Sequence, residues 1–348
     1  MRKFNEENER IKRRYLKYLK AAKRKDPSTV QKAADGILRF EASTKYASFK
    51  KFRIEQVIKF RDQLDEEISK TTGKPLSKST ISTVLAANKG FIFWLADQTG
   101  YKQRIRHSDA DYFNMDAKGQ RIASAVRETP YPSMEMARHA FNYMPEKAEI
   151  DRRNKALFAF FMLTGARDGA VASLRLKHIN MIDGCVYQDA REVNTKNSKT
   201  ITTFFLPVDT EYLDCFSTWV AYLKAEKLFG PDDPLFPPIA IKVIDGGFRV
   251  AGFKREIYKN ANAIREAIKL AFIRADLPPF TPHAFRKTLV KWADAQYPTR
   301  EGFKAFSQNI GHSNVVTTIS AYCPISIEQQ GALIKKGKAQ SDIVPPRA

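Results

Sequence analysis

The scarcities of this sequence narrow its possibilities first. Its three cysteines, Cys185, Cys215 and Cys323, are scattered over 348 residues, too few for a disulfide framework and without the C-x-x-C spacing of a metal knuckle. A reducing cytoplasm is the expected compartment. No apolar run approaches the roughly 18 residues that span a bilayer, and the opening MRKFNEENERIKRRYLKYLK has no apolar signal-peptide core. No membrane partner is therefore expected. With 16 Gly and 17 Pro the chain is not collagen-like, and it shows no internal repeat or low-complexity stretch. Acidic residues are outnumbered: 38 Asp+Glu stand against 59 Lys+Arg, a formal charge of +21. That surplus implies a polyanionic partner.

What is present suits a globular protein of about two domains: 43% of residues are hydrophobic and 28% charged. The charge is uneven. Residues 1–130 hold 29 basic and 16 acidic side chains, and 131–348 hold 30 and 22, so the shorter part is the more basic. Its first 25 residues carry 11 Lys/Arg, with Ile11, Tyr15, Tyr18 and Leu19 on one helical stripe. This reads as a basic amphipathic helix or tail ending before Asp26-Pro27. Helical spacing then predicts helices over about 28–40, 54–68 and 78–98, the last stopped by Gly100. Between them Lys45, Lys50, Lys51, Arg53, Lys74 and Lys78 fall at loops and helix ends, where cations reach phosphates without burial. Residues 106–132 show no sustained period and read as a linker.

From Ser133 the pattern is mixed. Helices are predicted over about 133–143, 151–163, 168–175, 209–226, 258–275, 282–296, 300–310 and 314–321, with strands near 185–188 and 200–206. The fold class is thus mainly α with a small antiparallel β-sheet. Four separated segments of this part carry the groups needed for chemistry on a phosphodiester. In FMLTGARDGAVASL the helix stops at Gly165, so that Arg167 can turn into a cavity. In NTKNSKTI, Lys196 and Lys199 sit on a polar hairpin tip, where either can reach a phosphate. In TPHAFRKTL, Thr281 and Pro282 open a helix that carries His283 and Arg286 on one face of its first turn, with Lys287 beside them. In IGHSNVVTTISAY, Gly311 ends a helix, His312 follows, and Tyr322 closes the next predicted helix.

This order of Arg, Lys, His-x-x-Arg, Gly-His and Tyr resembles the tyrosine recombinases, the phage integrase family. The resemblance implies an N-terminal helical core-binding (SAM-like) domain and an α+β catalytic domain. The expected parts are a basic helix or tail at 1–26, a core-type DNA-binding domain at 27–105, the linker at 106–132, the catalytic domain at 133–325, and a C-terminal helix and tail at 326–348 that docks in cis or in trans. It implies Tyr322 as nucleophile; Arg167 and Arg286 holding the phosphate; His283 as base; Lys196, or alternatively Lys199, as acid; and His312 positioning the phosphate. Lys45, Lys50, Lys51, Arg53, Lys74, Lys78, Lys199 and Lys287 are the expected DNA contacts.

No cofactor or metal is expected. The expected partners are a double-stranded recombination site, further copies of the chain forming a tetramer on DNA, and an accessory directionality factor, all in the cytoplasm with the nucleoid. The stretch before Asp26 is short for a separate arm-binding domain, so a simple core site is expected. A catalytically silent DNA-binding regulator and a type IB topoisomerase are the alternatives. Ala170 stands where the family often has an acidic residue, Lys287 where it often has His, and Tyr322 lies one residue further from His312 than is usual. The DNA target and the biological role, whether integration, transposition or resolution, are not encoded in these motifs.

Overall fold

The structure, a computed structural model, describes residues 4–70, 72–125, 129–244, 247–312, 315, 316, 318 and 327–335. The chain divides into two units, Met1–Arg127 and Glu128–Ala348. Both are built mainly of helices, and among the described residues the two small antiparallel sheets fall in the second.

The first unit contains α1 (Glu6–Ala21), α2 (Pro27–Ser43), α3 (Ile54–Glu66), α4 (Lys78–Leu95), a 3-10 turn (His107–Phe113) and α5 (Ala117–Ser124). Side chains of Asn5, Asp26 and Ser77 accept backbone N–H groups at the starts of α1, α2 and α4, satisfying donors that a helix leaves open. The helix expected within residues 1–26 is α1, and its apolar stripe packs into the unit's core. Ile11, Tyr15 and Leu19 are buried, and Asn8 Nδ2 donates to the fully buried Glu41 at 2.9 Å. Lys12 closes an ion pair on the same carboxylate, so α1 is tied to α2 by both packing and charge.

Residues 106–132, expected as a linker, hold the 3-10 turn and α5. Ala110 and Phe113 are buried with Phe40 and Phe60, and the Phe113 and Phe40 rings meet edge to face at 5.3 Å. Burial of Ala110 and Phe113, with Lys89 Nζ donating to Asp111 and Asn114, anchors a segment that shows no sustained helical period. The predicted helix end near Ile68 also differs. α3 stops at Glu66, and Ile68 bridges back to Pro75.

In the second unit α6 (Met134–Asn142) leads to α7 (Glu149–Thr164), which is buried on every side over its last ten residues. Phe158 meets Phe285 at 4.7 Å and Phe272 at 5.6 Å, and Phe160 meets Phe216 at 5.1 Å. Helices α9 (Thr210–Ala225), α10 (Asn262–Arg274) and α11 (Pro282–Gln296) thus pack round α7. Strands β1 (Ile179–Asn180), β2 (Cys185–Gln188) and β3 (Ile201–Phe204) form one antiparallel sheet in the order β1-β2-β3, with Val186 opposite Thr203. Cys185 and Cys215 are free thiols.

Two expectations in this unit need correction. The helix predicted over 168–175 is only α8 (Asp168–Val171). Its continuation is taken by an extended pairing, in which Leu235 N donates to Leu174 O at 3.0 Å and Leu176 N to Asp233 O at 3.0 Å. A hairpin of β4 (Ile239–Ile244) and β5 (Gly247–Phe253) was not anticipated. Its strands pair chiefly with each other, and Ile241, Val243 and Val250 are exposed. Helix α12 (Arg300–Asn309) locks onto the edge of β3. Phe204 N donates to Asn309 Oδ1 at 2.7 Å, and Asn309 Nδ2 donates to Phe204 O at 2.9 Å. A helix Ile327–Lys335 follows. Among the described residues no helix is long and apolar enough to cross a membrane.

Candidate active site

Helix α7 ends where Gly165 adopts φ +55°, a left-handed conformation that glycine takes without steric cost. A Cβ there would lie 3.2 Å from Leu289 Cδ1, so any larger residue would also have to push that side chain back by a few tenths of an ångström. The freed Gly165 carbonyl accepts a hydrogen bond from Arg286 Nη1. Two residues on, Arg167 is extended and half-buried at the start of α8. Its neighbour Asp168 accepts from Arg265 Nε of α10 at 2.5 Å, which holds the α7–α8 junction against that helix.

Helix α11 begins at the expected place, with Pro282 in its first turn, but the Thr281 side chain makes no cap. His283 and Arg286 were expected to stand together at an open helix end. They differ in burial: His283 is exposed, and Arg286 is 1% exposed. A buried guanidinium is costly unless its donors are met. Here Arg286 Nη2 donates to Ile310 O at 2.8 Å and to His312 Nε2 at 3.0 Å, while Nη1 takes Gly165 O. The arginine therefore ties together the ends of α7 and α12 and the histidine that follows.

Helix α12 ends at Gly311, φ +82°. A Cβ at this glycine would lie 2.7 Å from Ile201 Cδ1 and 3.5 Å from Arg167 Nη1, so Arg167 passes directly over this turn. His312 is 5% exposed, and its pKa is pushed down to about 4. Burial is the largest cause, followed by the positive charges of Arg286, Arg167, Lys196 and Lys199. The ring is neutral at pH 7. Because Nε2 accepts from Arg286, the ring proton sits on Nδ1, which is 2.7 Å from Thr318 Oγ1. His283 is also held below the ordinary histidine range. Partial burial acts first, then Arg286, Lys287 and Arg167, with Asp168 opposing. By contrast His178 is a structural histidine, with Nδ1 accepting from Arg175 N at 3.0 Å and Nε2 beside Glu192 at 3.0 Å.

The structure thus brings five of the six expected site residues, Arg167, Lys196, His283, Arg286 and His312, into one electropositive neighbourhood. Tyr322 lies outside the described residues. Lys196 and Lys199 are both exposed, on and beside a 3-10 turn in which Asn197 has φ 60°, and both act on His312. The choice between them stays open. Lys287 Nζ donates to Thr129. Among the described residues, no group of three or more His, Cys, Asp or Glu is placed to hold a metal ion.

The residues expected to touch DNA in the first unit divide. Lys50, Lys51 and Arg53 line one open groove at the start of α3, and Lys59 and Arg104, which sequence reading missed, line it too. Lys50 also pairs with Glu7. Lys45 and Lys74 are exposed elsewhere, and Lys78 pairs with Asp65 at 2.7 Å. Sequence reading also missed Arg265, Ser307 and Thr318. Arg265 is 97 residues from the carboxylate it holds, and no local pattern signals such a pairing.

The chain belongs to the phage integrase family, whose profile matches residues 134–328. The matched segment contains Arg167, Lys196, Lys199, His283, Arg286, His312 and Tyr322. Among solved structures, a lambda integrase dimer bound to a COC′ core site is 13% identical with TM-score 0.61, covering 90% of this chain and 94% of that one. XerH site-specific recombinase bound to palindromic difH substrate is 16% identical with TM-score 0.59, covering 88% and 79%. The Tn1549 transposon integrase in complex with transposon right end DNA is 13% identical with TM-score 0.58, covering 94% and 98%. At these identities the likeness is one of fold. No curated protein matches the chain.

Proposed function

We propose that this protein is a site-specific recombinase that cuts and rejoins double-stranded DNA through a 3′-phosphotyrosyl bond at Tyr322. The observation carrying this reading is the convergence of Arg167, Arg286, Lys196 and Lys199 on His312, with His283 beside them. A phosphodiester under attack gathers charge on its nonbridging oxygens, and arginine forks meet that charge. His283, neutral at pH 7, takes the proton of the Tyr322 hydroxyl as the phenolic oxygen bonds to phosphorus. The bond from phosphorus to the 5′-oxygen breaks, and Lys196 or Lys199 donates the proton that makes the leaving group a 5′-hydroxyl. Rejoining runs these steps backwards, with a 5′-hydroxyl displacing the tyrosine, so ATP is not required. The guanidinium groups supply the charge that a divalent ion would otherwise bring, and cleavage persists in EDTA.

In the first unit the groove lined by Lys50, Lys51, Arg53, Lys59 and Arg104 contributes phosphate contacts, as do the exposed Arg13, Lys17 and Lys20 of α1. The helix Ile327–Lys335, with Ile334 76% exposed, docks on a second copy as the chains assemble into a tetramer on paired sites. An accessory factor sets direction.

The test is incubation with a nicked suicide duplex taken from the repeat pair flanking the gene. The expected result is a covalent adduct that Tyr322→Phe abolishes. Absence of an adduct on any flanking repeat, with folded protein bound, favours a silent regulator. Adducts on arbitrary duplex with relaxation favour a topoisomerase.

A further inference from the structure

Helix α8, which begins beside Arg167, stops after a single turn. A continuing helix would give the Ala170 carbonyl to the N–H of residue 174. Ser173 takes it instead, with its backbone N–H at 2.9 Å and its hydroxyl at 2.9 Å. A carbonyl can only accept, so the hydroxyl donates there and keeps its lone pairs for a donor. That donor is the backbone N–H of Asn194, at 2.9 Å. Ser173 is 1% exposed, so its hydroxyl is a buried bridge between segments 21 residues apart. The Asn194 carbonyl lies against α8 as well, since a Cβ at Gly169 would be 3.8 Å from it.

Asn194 leads into the turn that carries Lys196 and Lys199. Lys196 follows it by two residues, a reach of at most about 7 Å of chain. The intervening Thr195 gives no side-chain anchor, for its buried Oγ1 has no hydrogen-bond partner among the described residues. At the far end of the turn Ile201 packs against Gly311. Residues 196–199 are all exposed. The lysine turn is thus held at one end to the segment of Arg167 and at the other to the segment of His312.

We infer that Ser173 is a positioning residue for the lysine turn, its hydroxyl fixing the start of the turn to α8 so that the leaving-group acid stays in register with Arg167. This rests on the proposed reading of Lys196 or Lys199 as that acid. An acid acts only within hydrogen-bond reach of the oxygen it protonates. Loss of the bridge lets the turn drift while Arg167, Arg286 and His312 keep their own attachments. Proton donation then suffers, and phosphate binding does not.

The experiment compares wild type with Ser173→Ala and Ser173→Thr in the full chain, on an ordinary suicide duplex and on one with sulfur in place of the bridging 5′-oxygen. The sulfur leaves as a thiolate and needs no acid. Ser173→Ala should cleave ordinary DNA about 10- to 100-fold more slowly, the scale on which a displacement near 1 Å acts, and the sulfur duplex near the wild-type rate. Ser173→Thr keeps the hydroxyl, so its ratio of sulfur to oxygen rates should match wild type even if the added methyl group lowers its thermal midpoint. Equal slowing of Ser173→Ala on both duplexes would reduce Ser173 to a packing residue and overturn the inference. A Ser173→Thr ratio like that of Ser173→Ala would do the same, because the hydroxyl would not be what matters. Amide hydrogen exchange without DNA reads the bridge independently of cleavage. The Asn194 amide should exchange faster in folded Ser173→Ala than in wild type, and an unchanged rate overturns the bridge. If wild type itself forms no Tyr322 adduct, the recombinase reading fails, while the exchange measurement still decides whether Ser173 holds the turn.

Discussion

Arg286 Nη2 and His312 Nε2 lie 3.0 Å apart, and the same guanidinium holds the carbonyls of Gly165 and Ile310. The second arginine of the candidate site is therefore part of the framework as well as of the proposed chemistry. Arg286→Lys keeps the charge but cannot span three acceptors at once. It should destabilise the protein by roughly 2–4 kcal/mol, because buried acceptors lose their donors, and should abolish cleavage. Arg167→Lys should abolish cleavage at a smaller cost in stability, since Arg167 is half-buried. Urea midpoints of both variants, measured beside adduct formation, check the contrast; equal midpoints would show that Arg286 bears no structural load.

His312 titrates at about 4 when folded and near 6.5 in an unfolded chain. Between those values the unfolded state binds the extra proton. Stability is therefore full above pH 6.5 and declines as the pH falls toward 4, by up to about 3 kcal/mol. His283, shifted the same way, adds to the decline. In His312→Gln the urea midpoint should depend less steeply on pH between 6.5 and 4.5 than in wild type. Parallel curves would mean that His312 is not held neutral by its surroundings.

The legible parts of the site were those whose cause is local. Gly165 and Gly311 mark helix ends because the residue type itself permits φ +55° and +82°, so Arg167 and His312 could be placed at junctions. The burial of Arg286 was not legible, since its carbonyl acceptors are 121 and 24 residues away. The same holds for 106–132, where Phe113 is held by tertiary packing on Phe40 and not by a period of its own. The β4–β5 hairpin was missed for a different reason. Ile239, Ile241 and Val243 do alternate ahead of Asp245-Gly246, a hairpin signal, but the exposed face has no core partner to make that alternation stand out.

Gly311→Ala tests how much the turn over Arg167 matters. The left-handed conformation costs a residue with a Cβ about 1–2 kcal/mol, and the added atom must also displace Ile201 Cδ1, 2.7 Å away. The end of a side chain can yield, so the variant should fold, with a thermal midpoint lower by a few degrees. Cleavage should fall further than stability explains, because Arg167 Nη1 lies 3.5 Å from the new methyl group. A midpoint equal to wild type would contradict the strain.

The basic groove of the first unit makes a prediction about salt. Lys51→Gln, Arg53→Gln and Lys59→Gln together remove three cations that line it. If each neutralises one phosphate, the slope of log affinity against log salt should shrink by about 0.9 per cation. Loss of affinity should be similar on specific and random duplexes, because phosphate contacts carry no sequence information. A filter-binding series from 50 to 300 mM salt, on the order of the range where such slopes are measured, checks it. An unchanged slope would remove the groove from the DNA interface.

Lys196 and Lys199 both act on His312, and a leaving-group experiment separates them. A 5′-hydroxyl needs a proton as it departs, whereas a 5′-thiol leaves readily as the thiolate at neutral pH because thiol pKa values lie near 8.5. A duplex with sulfur in place of the bridging 5′-oxygen therefore bypasses the general acid. If Lys196 is that acid, Lys196→Ala should cleave ordinary DNA about 100- to 10,000-fold more slowly and the sulfur substrate near the wild-type rate. Lys199→Ala should be slowed equally on both, through weaker phosphate binding alone. Rescue of Lys199→Ala and not of Lys196→Ala would exchange the two assignments. Rescue of neither would mean that the proton comes from another group, and His283, exposed and proposed as the base of the forward step, would be the next residue to vary with the same pair of substrates.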